Sequence, residues 1–94
     1  MPFPQQTPRV FSKANIEAIP PGQMGVYGLF RQNQWVYVGS GDIRARLLSH
    51  LSGDNPCITK MQPTHWVDEV TSDYVNREKQ LIAELTPSCN QRIG

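Results

Sequence analysis

Met24-Gly25-Val26-Tyr27-Gly28-Leu29-Phe30, then Arg31-Gln32-Asn33-Gln34, then Trp35-Val36-Tyr37-Val38 is the stretch that decides the fold. Both outer runs are rich in β-branched and aromatic residues, which suit a pleated, half-buried surface. The polar connection is short enough for a hairpin, and a short connection makes the two strands antiparallel. Gly39-Ser40-Gly41 is expected to break the second strand, since glycine weakens a strand interior. Tyr27 and Tyr37 can sit close together on the neighbouring strands, with Gly25 and Gly39 beside them to allow close approach of a ligand or backbone.

Downstream, Asp42 is placed to cap a helix to about Leu51, with Ile43, Leu47, Leu48 and Leu51 at helical spacing as its core face. Gly53 stands where a left-handed residue closes such a helix. Residues 54–64, with Pro56 and Pro63, read as loop. Trp66 to Val70 reads as a third strand. Ser72 or Asp73 can cap a last helix to about Leu85, with Val75, Leu81, Ile82 and Leu85 inward and Thr86-Pro87 at its end. Upstream, the prolines of residues 1–10 predict an irregular arm, and Ser12 can cap a short helix to about Ile19 before Pro20-Pro21-Gly22 stops it. The sum is one α/β (α+β) domain over residues 1–94. A small three-stranded, largely antiparallel sheet is flanked by helices, and the motif-bearing core spans 24–90.

Ninety-four residues hold one modest core. The apolar runs are far too short to span a bilayer. The start, Met1-Pro2-Phe3-Pro4-Gln5-Gln6, has neither a basic nor an apolar leader region, so no secretory signal is expected and the cytoplasm is the expected location. Cys57 and Cys89 form no Cys-x-x-Cys pair and are expected to be reduced thiols, and no Cys/His cluster has zinc spacing. Net charge is +1, which favours no partner by itself. Its distribution says more. Arg9, Lys13, Arg31, Arg44 and Arg46 outweigh Glu17 and Asp42 in the first half, whereas acids outnumber bases after residue 53. A basic, phosphate-facing half and an acidic, metal-facing half would give that split, and chance asymmetry in so few charges accounts for it at least as well.

Four further residues carry chemistry. Arg46 and His50 are four apart and share a helix face; both can donate to a phosphate, and histidine can shuttle a proton. Glu78 lies early in the last helix, and Asn90 follows Pro87-Ser88-Cys89 in the tail. Singly, each has a plainer explanation: strand tyrosines pack, a helix-start glutamate stabilises the helix dipole, and a tail asparagine makes a turn.

Taken in order, the pieces say more. Gly25-Val26-Tyr27, Tyr37-Val38-Gly39, Asp42-Ile43-Arg44-Ala45-Arg46-Leu47-Leu48-Ser49-His50, Glu78 and Pro87-Ser88-Cys89-Asn90 resemble the GIY-YIG nuclease superfamily, from about Gly25 to Asn90. The resemblance implies a divalent-metal-dependent endonuclease that hydrolyses DNA phosphodiester bonds. By it, Tyr27 orients or deprotonates the attacking water and Tyr37 lines the scissile phosphate. Arg46 stabilises phosphoryl charge, and His50 matches a histidine found in a subset of members. Glu78 binds a single Mg²⁺ or Mn²⁺, and Asn90 helps hold the site together. Arg46 is matched in preference to Arg44 because it precedes Leu47 and lies one turn before His50. Ser40 stands where many members have Lys or Gln. Phosphodiester hydrolysis asks for these types independently: a positioned water, charge stabilisation by a cation and an arginine, and a hard oxygen ligand for Mg²⁺. A tyrosine base would need its pKa lowered by nearby positive charge. The five side chains Tyr27, Tyr37, Arg46, His50 and Glu78 are expected to converge on one concave, solvent-accessible patch, with Glu78 on the same side of the sheet as Tyr27.

Two alternatives stand beside this. One is a catalytically inactive nucleic-acid-binding module of the same fold. The other is an interaction domain anchored by Trp35 and Trp66. DNA is the expected partner and a membrane is not. A homodimer is left open without being indicated.

Overall fold

The hairpin forms, and it runs further than the sequence predicts. In a computed structural model, which describes residues 3–90, β2 (Met24–Arg31) pairs antiparallel with β3 (Gln34–Asp42). The ladder extends from Met24↔Asp42 through Tyr27↔Gly39 to Arg31↔Gln34, so Gly39-Ser40-Gly41 continues the strand instead of breaking it. The glycines are there for space and conformation. A Cβ at Gly39 would collide with the Tyr27 hydroxyl. Gly41 has φ +124, which other residues rarely adopt. The register shifts between Leu29 and Phe30, leaving Val36 without a partner of its own. That bulge lets Val36 and Tyr37 pack against the same cluster as Tyr27.

The other neighbour of β2 is β4 (His65–Val70), and β1 (Arg9–Val10) adds to the outside of β4. The sheet is antiparallel, of order β1-β4-β2-β3, and has four strands where three were expected. The fourth comes from the arm read as irregular. Two residues are too few to show strand periodicity, and side chains fix them in place. Gln6 brackets the Asp68 backbone through Nε2 to its carbonyl (2.7 Å) and Oε1 from its N–H (3.0 Å), and Arg9 stacks over Trp66 and pairs with Asp68.

Helices cover both faces. On one, α1 (Lys13–Glu17), α2 (Ile43–Leu51) and α3 (Pro56–Met61) enclose Ile16, Ile19, Tyr27, Leu29, Val36, Ile43, Leu47, Ile58 and Trp66. On the other, α4 (Tyr74–Leu85) lays Leu81 on Val26, Val38 and Val67, with Phe3 alongside. Ser12 and Asp42 cap α1 and α2 as expected, accepting from Asn15 N (3.4 Å) and Ala45 N (3.2 Å). The segment 54–64 is not all loop. Asn55 accepts from the N–H groups of Cys57 and Ile58, and Pro56 occupies the first helical turn, where its missing N–H costs nothing. The buried face of α2 is Ile43, Leu47 and His50, while Leu51 is 39% exposed. Val75, expected inside, is 53% exposed. No helix among the described residues is long and apolar enough to cross a membrane.

Cys57 and Cys89 are joined by a disulfide, correcting the expectation of two free thiols. The sequence hides it because the two lie 32 positions apart. Folding brings them together: the tail runs along β3, with Ser88 N–H donating to Trp35 O and Cys89 N–H to Val36 O, opposite the start of α3. Their Cα atoms are 5.6 Å apart, within bridging range. A cross-link closing a loop of this length is worth about 3–4 kcal/mol in the chain-entropy account. In so small a domain that corresponds to roughly 12–30 °C in Tm. Thermal unfolding with and without reductant, and of Cys57→Ser, should show that drop, and an unchanged Tm would contradict the bridge.

Candidate active site

Because α2 begins at the residue after β3 ends, its first turns return over the face that carries Tyr27 and Tyr37. The two rings lie 6.4 Å apart, and His50 packs against both, at 5.6 Å from Tyr27 and edge-on at 5.1 Å from Tyr37. The Tyr27 hydroxyl is 2.6 Å from His50 Nε2, and His50 Nδ1 is 2.9 Å from Asp54 Oδ1. The Arg46 guanidinium lies near both phenols and acts on them electrostatically. Its stem passes over Gly41, where an added Cβ would lie 3.6 Å from Arg46 Cγ.

Glu78 arrives from the other layer. Helix α4 packs on the face opposite Tyr27, yet β3 is the sheet edge, and Ser40 on that edge donates Oγ to Glu78 Oε1 at 2.7 Å. From there the carboxylate acts electrostatically on Tyr37 and, more weakly, on Tyr27. The five side chains therefore do not converge on one face as expected: Tyr27, Tyr37, Arg46 and His50 share a face, and Glu78 reaches the β3 edge from the opposite layer. Their exposure is also divided. Tyr37, Arg46, Ser40 and Glu78 are half-buried, whereas Tyr27 is buried and His50 is only 3% exposed.

Protonation follows from that burial. Tyr27 has its pKa raised, chiefly by burial and then by Tyr37, with Arg46 opposing. Tyr37 is raised by burial and then by Glu78, again with Arg46 opposing. Arg46 is raised, mainly by its attraction to Tyr27. His50 is lowered by burial, which Asp54 partly offsets. At neutral pH the site thus holds two phenols, a neutral imidazole and a guanidinium. The positive charge of Arg46 does not lower Tyr27 into the range of a free base.

For a divalent cation, the fit rests on donor chemistry. Among the described residues no three His, Cys, Asp or Glu side chains form a cluster. Mg²⁺ needs only one or two carboxylates, keeps several waters and prefers hard oxygens. Glu78 supplies a carboxylate with one oxygen engaged by Ser40, and a depression of about 380 Å³ lined by Glu78, Lys79, Ile82 and Ala83 opens beside it. Glu78 and the Ser40 hydroxyl fit a largely hydrated ion.

Asn90 makes its side-chain hydrogen bonds to the β3 backbone. Its Oδ1 accepts from Val38 N–H (2.7 Å) and its Nδ2 donates to Val38 O (2.9 Å), clamping the edge strand between Tyr37 and Gly39. Asp54 was not singled out from the sequence, although His50, Gly53 and Asp54 in that order were a legible signal. An apolar hollow of about 360 Å³ beside Phe3, Phe30, Trp35, Val67 and Leu85 contains no titratable side chain, so chemistry is not expected there.

Comparison of the chain with family profiles, with curated proteins and with solved structures found no match.

Proposed function

We propose that this protein is a divalent-metal-dependent endonuclease that hydrolyses DNA phosphodiester bonds. The observation that carries the reading is the gathering of Tyr27, Tyr37, Arg46 and His50 on one face of the β2–β3 hairpin, with Glu78 reaching Ser40 on the adjoining β3 edge from α4. These are the positions that resemble the GIY-YIG signature. One arginine, one carboxylate and hydroxyl donors are what a phosphoryl-transfer site uses.

Glu78 and Ser40 would hold Mg²⁺ or Mn²⁺, which when bound supplies Lewis-acid charge and a more acidic water. Arg46 offers its guanidinium to the non-bridging oxygens, where negative charge grows during attack. Tyr37, protonated and half-buried, donates a hydrogen bond to the same phosphate. Tyr27 is set further back: its hydroxyl is committed to His50, so it orients Arg46 in preference to serving as a free phenolate. Asn90 keeps the β3 edge straight beneath Tyr37. A binding module that does not cleave needs no metal carboxylate, and the Ser40–Glu78 pair at the β3 edge favours the enzyme over it. The disulfide bears against a reducing cytoplasm, where such a bridge would be opened, so location forms no part of the functional reading.

Nicking of supercoiled plasmid tests the proposal. The purified protein should nick in Mg²⁺ or Mn²⁺ and stop on chelation. Salt-sensitive DNA binding with no cleavage in either metal would move the protein to the non-catalytic module.

A further inference from the structure

We infer that Asp54 is a positioning residue that fixes the direction of a hydrogen-bond chain, Asp54–His50–Tyr27, whose phenol oxygen lies near the Arg46 guanidinium that would face the phosphate. The role of Arg46 rests on the function proposed above; the direction of the chain does not.

The chain has only one fully satisfied sense. Arg46 has donors alone and Asp54, as a carboxylate, has acceptors alone. His50 is buried and neutral, so one ring nitrogen carries a proton and the other accepts. With Nδ1 2.9 Å from Asp54 Oδ1, the proton belongs on Nδ1. Nε2 then accepts from the Tyr27 hydroxyl at 2.6 Å, which leaves the lone pairs of the Tyr27 oxygen open on the side of Arg46. With the opposite tautomer, Nε2–H would take a lone pair of that oxygen and the buried Tyr27 proton would lose its acceptor. Asp54 would then face a bare ring nitrogen. The charged and titratable groups around the ring are Tyr27 from β2, Tyr37 from β3, Arg46 from α2 itself and Asp54. Of these, Asp54 alone pairs with Nδ1.

The backbone shows why Asp54 can do this. Gly53 N–H donates to His50 O (3.2 Å) and Asp54 N–H to Ser49 O (3.3 Å), the paired bonds of a helix closed by a left-handed residue. Gly53 has φ +93. That turn folds the chain back over the last helical residues and sets Asp54 against the ring one turn below it. Asn55 caps α3 directly afterwards and Cys57 is tied to the tail, so the turn is held from both sides.

The test is the ring-nitrogen spectrum of ¹⁵N-His-labelled protein at neutral pH. The wild type should show His50 protonated at Nδ1. Asp54→Ala should shift it toward the Nε2–H form, and Asp54→Asn, whose amide oxygen still accepts, should restore Nδ1–H. Unmoved His65 signals report an intact fold. Wild-type His50 protonated at Nε2, or an Asp54→Ala protein that keeps Nδ1–H, would overturn the inference. If the wild type cleaves DNA, Asp54→Ala should also slow it by about 10–100-fold, the usual scale for residues that orient a working group, with Asp54→Asn closer to wild type. A confirmed tautomer in a protein that never cleaves would refute the proposed function and leave the assignment of Asp54 standing.

Discussion

Arg46→Lys slows single-turnover DNA cleavage by about 10²–10³, the usual cost of losing an electrostatic stabiliser of a developing oxyanion. Arg44→Lys leaves the rate close to that of the wild type. Both arginines lie on α2, two residues apart and so about 200° around the helix axis. Only Arg46 is placed near Tyr27 and Tyr37, with its stem over Gly41. Lysine at 46 keeps a charge but loses the planar fork that can hold the Tyr27 oxygen and a phosphoryl oxygen together. Arg44 has a buried Nε that finds no hydrogen-bond partner, so lysine there gives up no bond through that atom. Cleavage by both variants at low and moderate salt separates catalysis from backbone attraction to DNA, which fades with salt. Loss with Arg44→Lys and retention with Arg46→Lys would reassign the catalytic arginine to Arg44.

Much of the fold was legible where one short-range rule acts alone. The hairpin, the Ser12 and Asp42 caps, the left-handed Gly53 and the β4 strand all follow from local chemistry. What was not legible depended on tertiary partners. Gly39 to Gly41 look like strand breakers until the Tyr27 hydroxyl is seen to occupy the space a Cβ would fill. Arg9–Val10 becomes a strand only because Gln6 and Arg9 lock onto Asp68. Pro56 looks like loop until Asn55 caps the helix it begins. Two cysteines without a motif give no hint of a bridge built by the tail crossing to α3.

The candidate site divides along the same line. Helical phase placed Arg46 and His50 together, and cross-strand pairing placed Tyr27 near Tyr37. Phase also put Leu51 in the core, where the structure buries His50, because the ring has Tyr27 and Asp54 to satisfy both nitrogens. Asp54 and the Ser40–Glu78 bond could not be read from spacing. The first needs the turn at Gly53, and the second crosses from the sheet edge to a helix on the opposite layer.

Glu78 carries the other large effect. Glu78→Gln is close to isosteric and keeps an oxygen to accept from Ser40, so the fold and the β3 edge should survive. What it removes is the carboxylate charge that would hold the cation. A bound metal is worth several kcal/mol of transition-state stabilisation, on the order of 10³ or more in rate. The central claim, that this sheet edge is a metal-dependent phosphodiesterase site, is tested most directly by single-turnover cleavage of a labelled DNA duplex across a Mg²⁺ titration, with wild type and Glu78→Gln side by side. The wild type should show saturable, metal-dependent cleavage, and Glu78→Gln should stay at background at every Mg²⁺ concentration while retaining the wild-type Tm. Cleavage by Glu78→Gln at the wild-type rate would contradict the account.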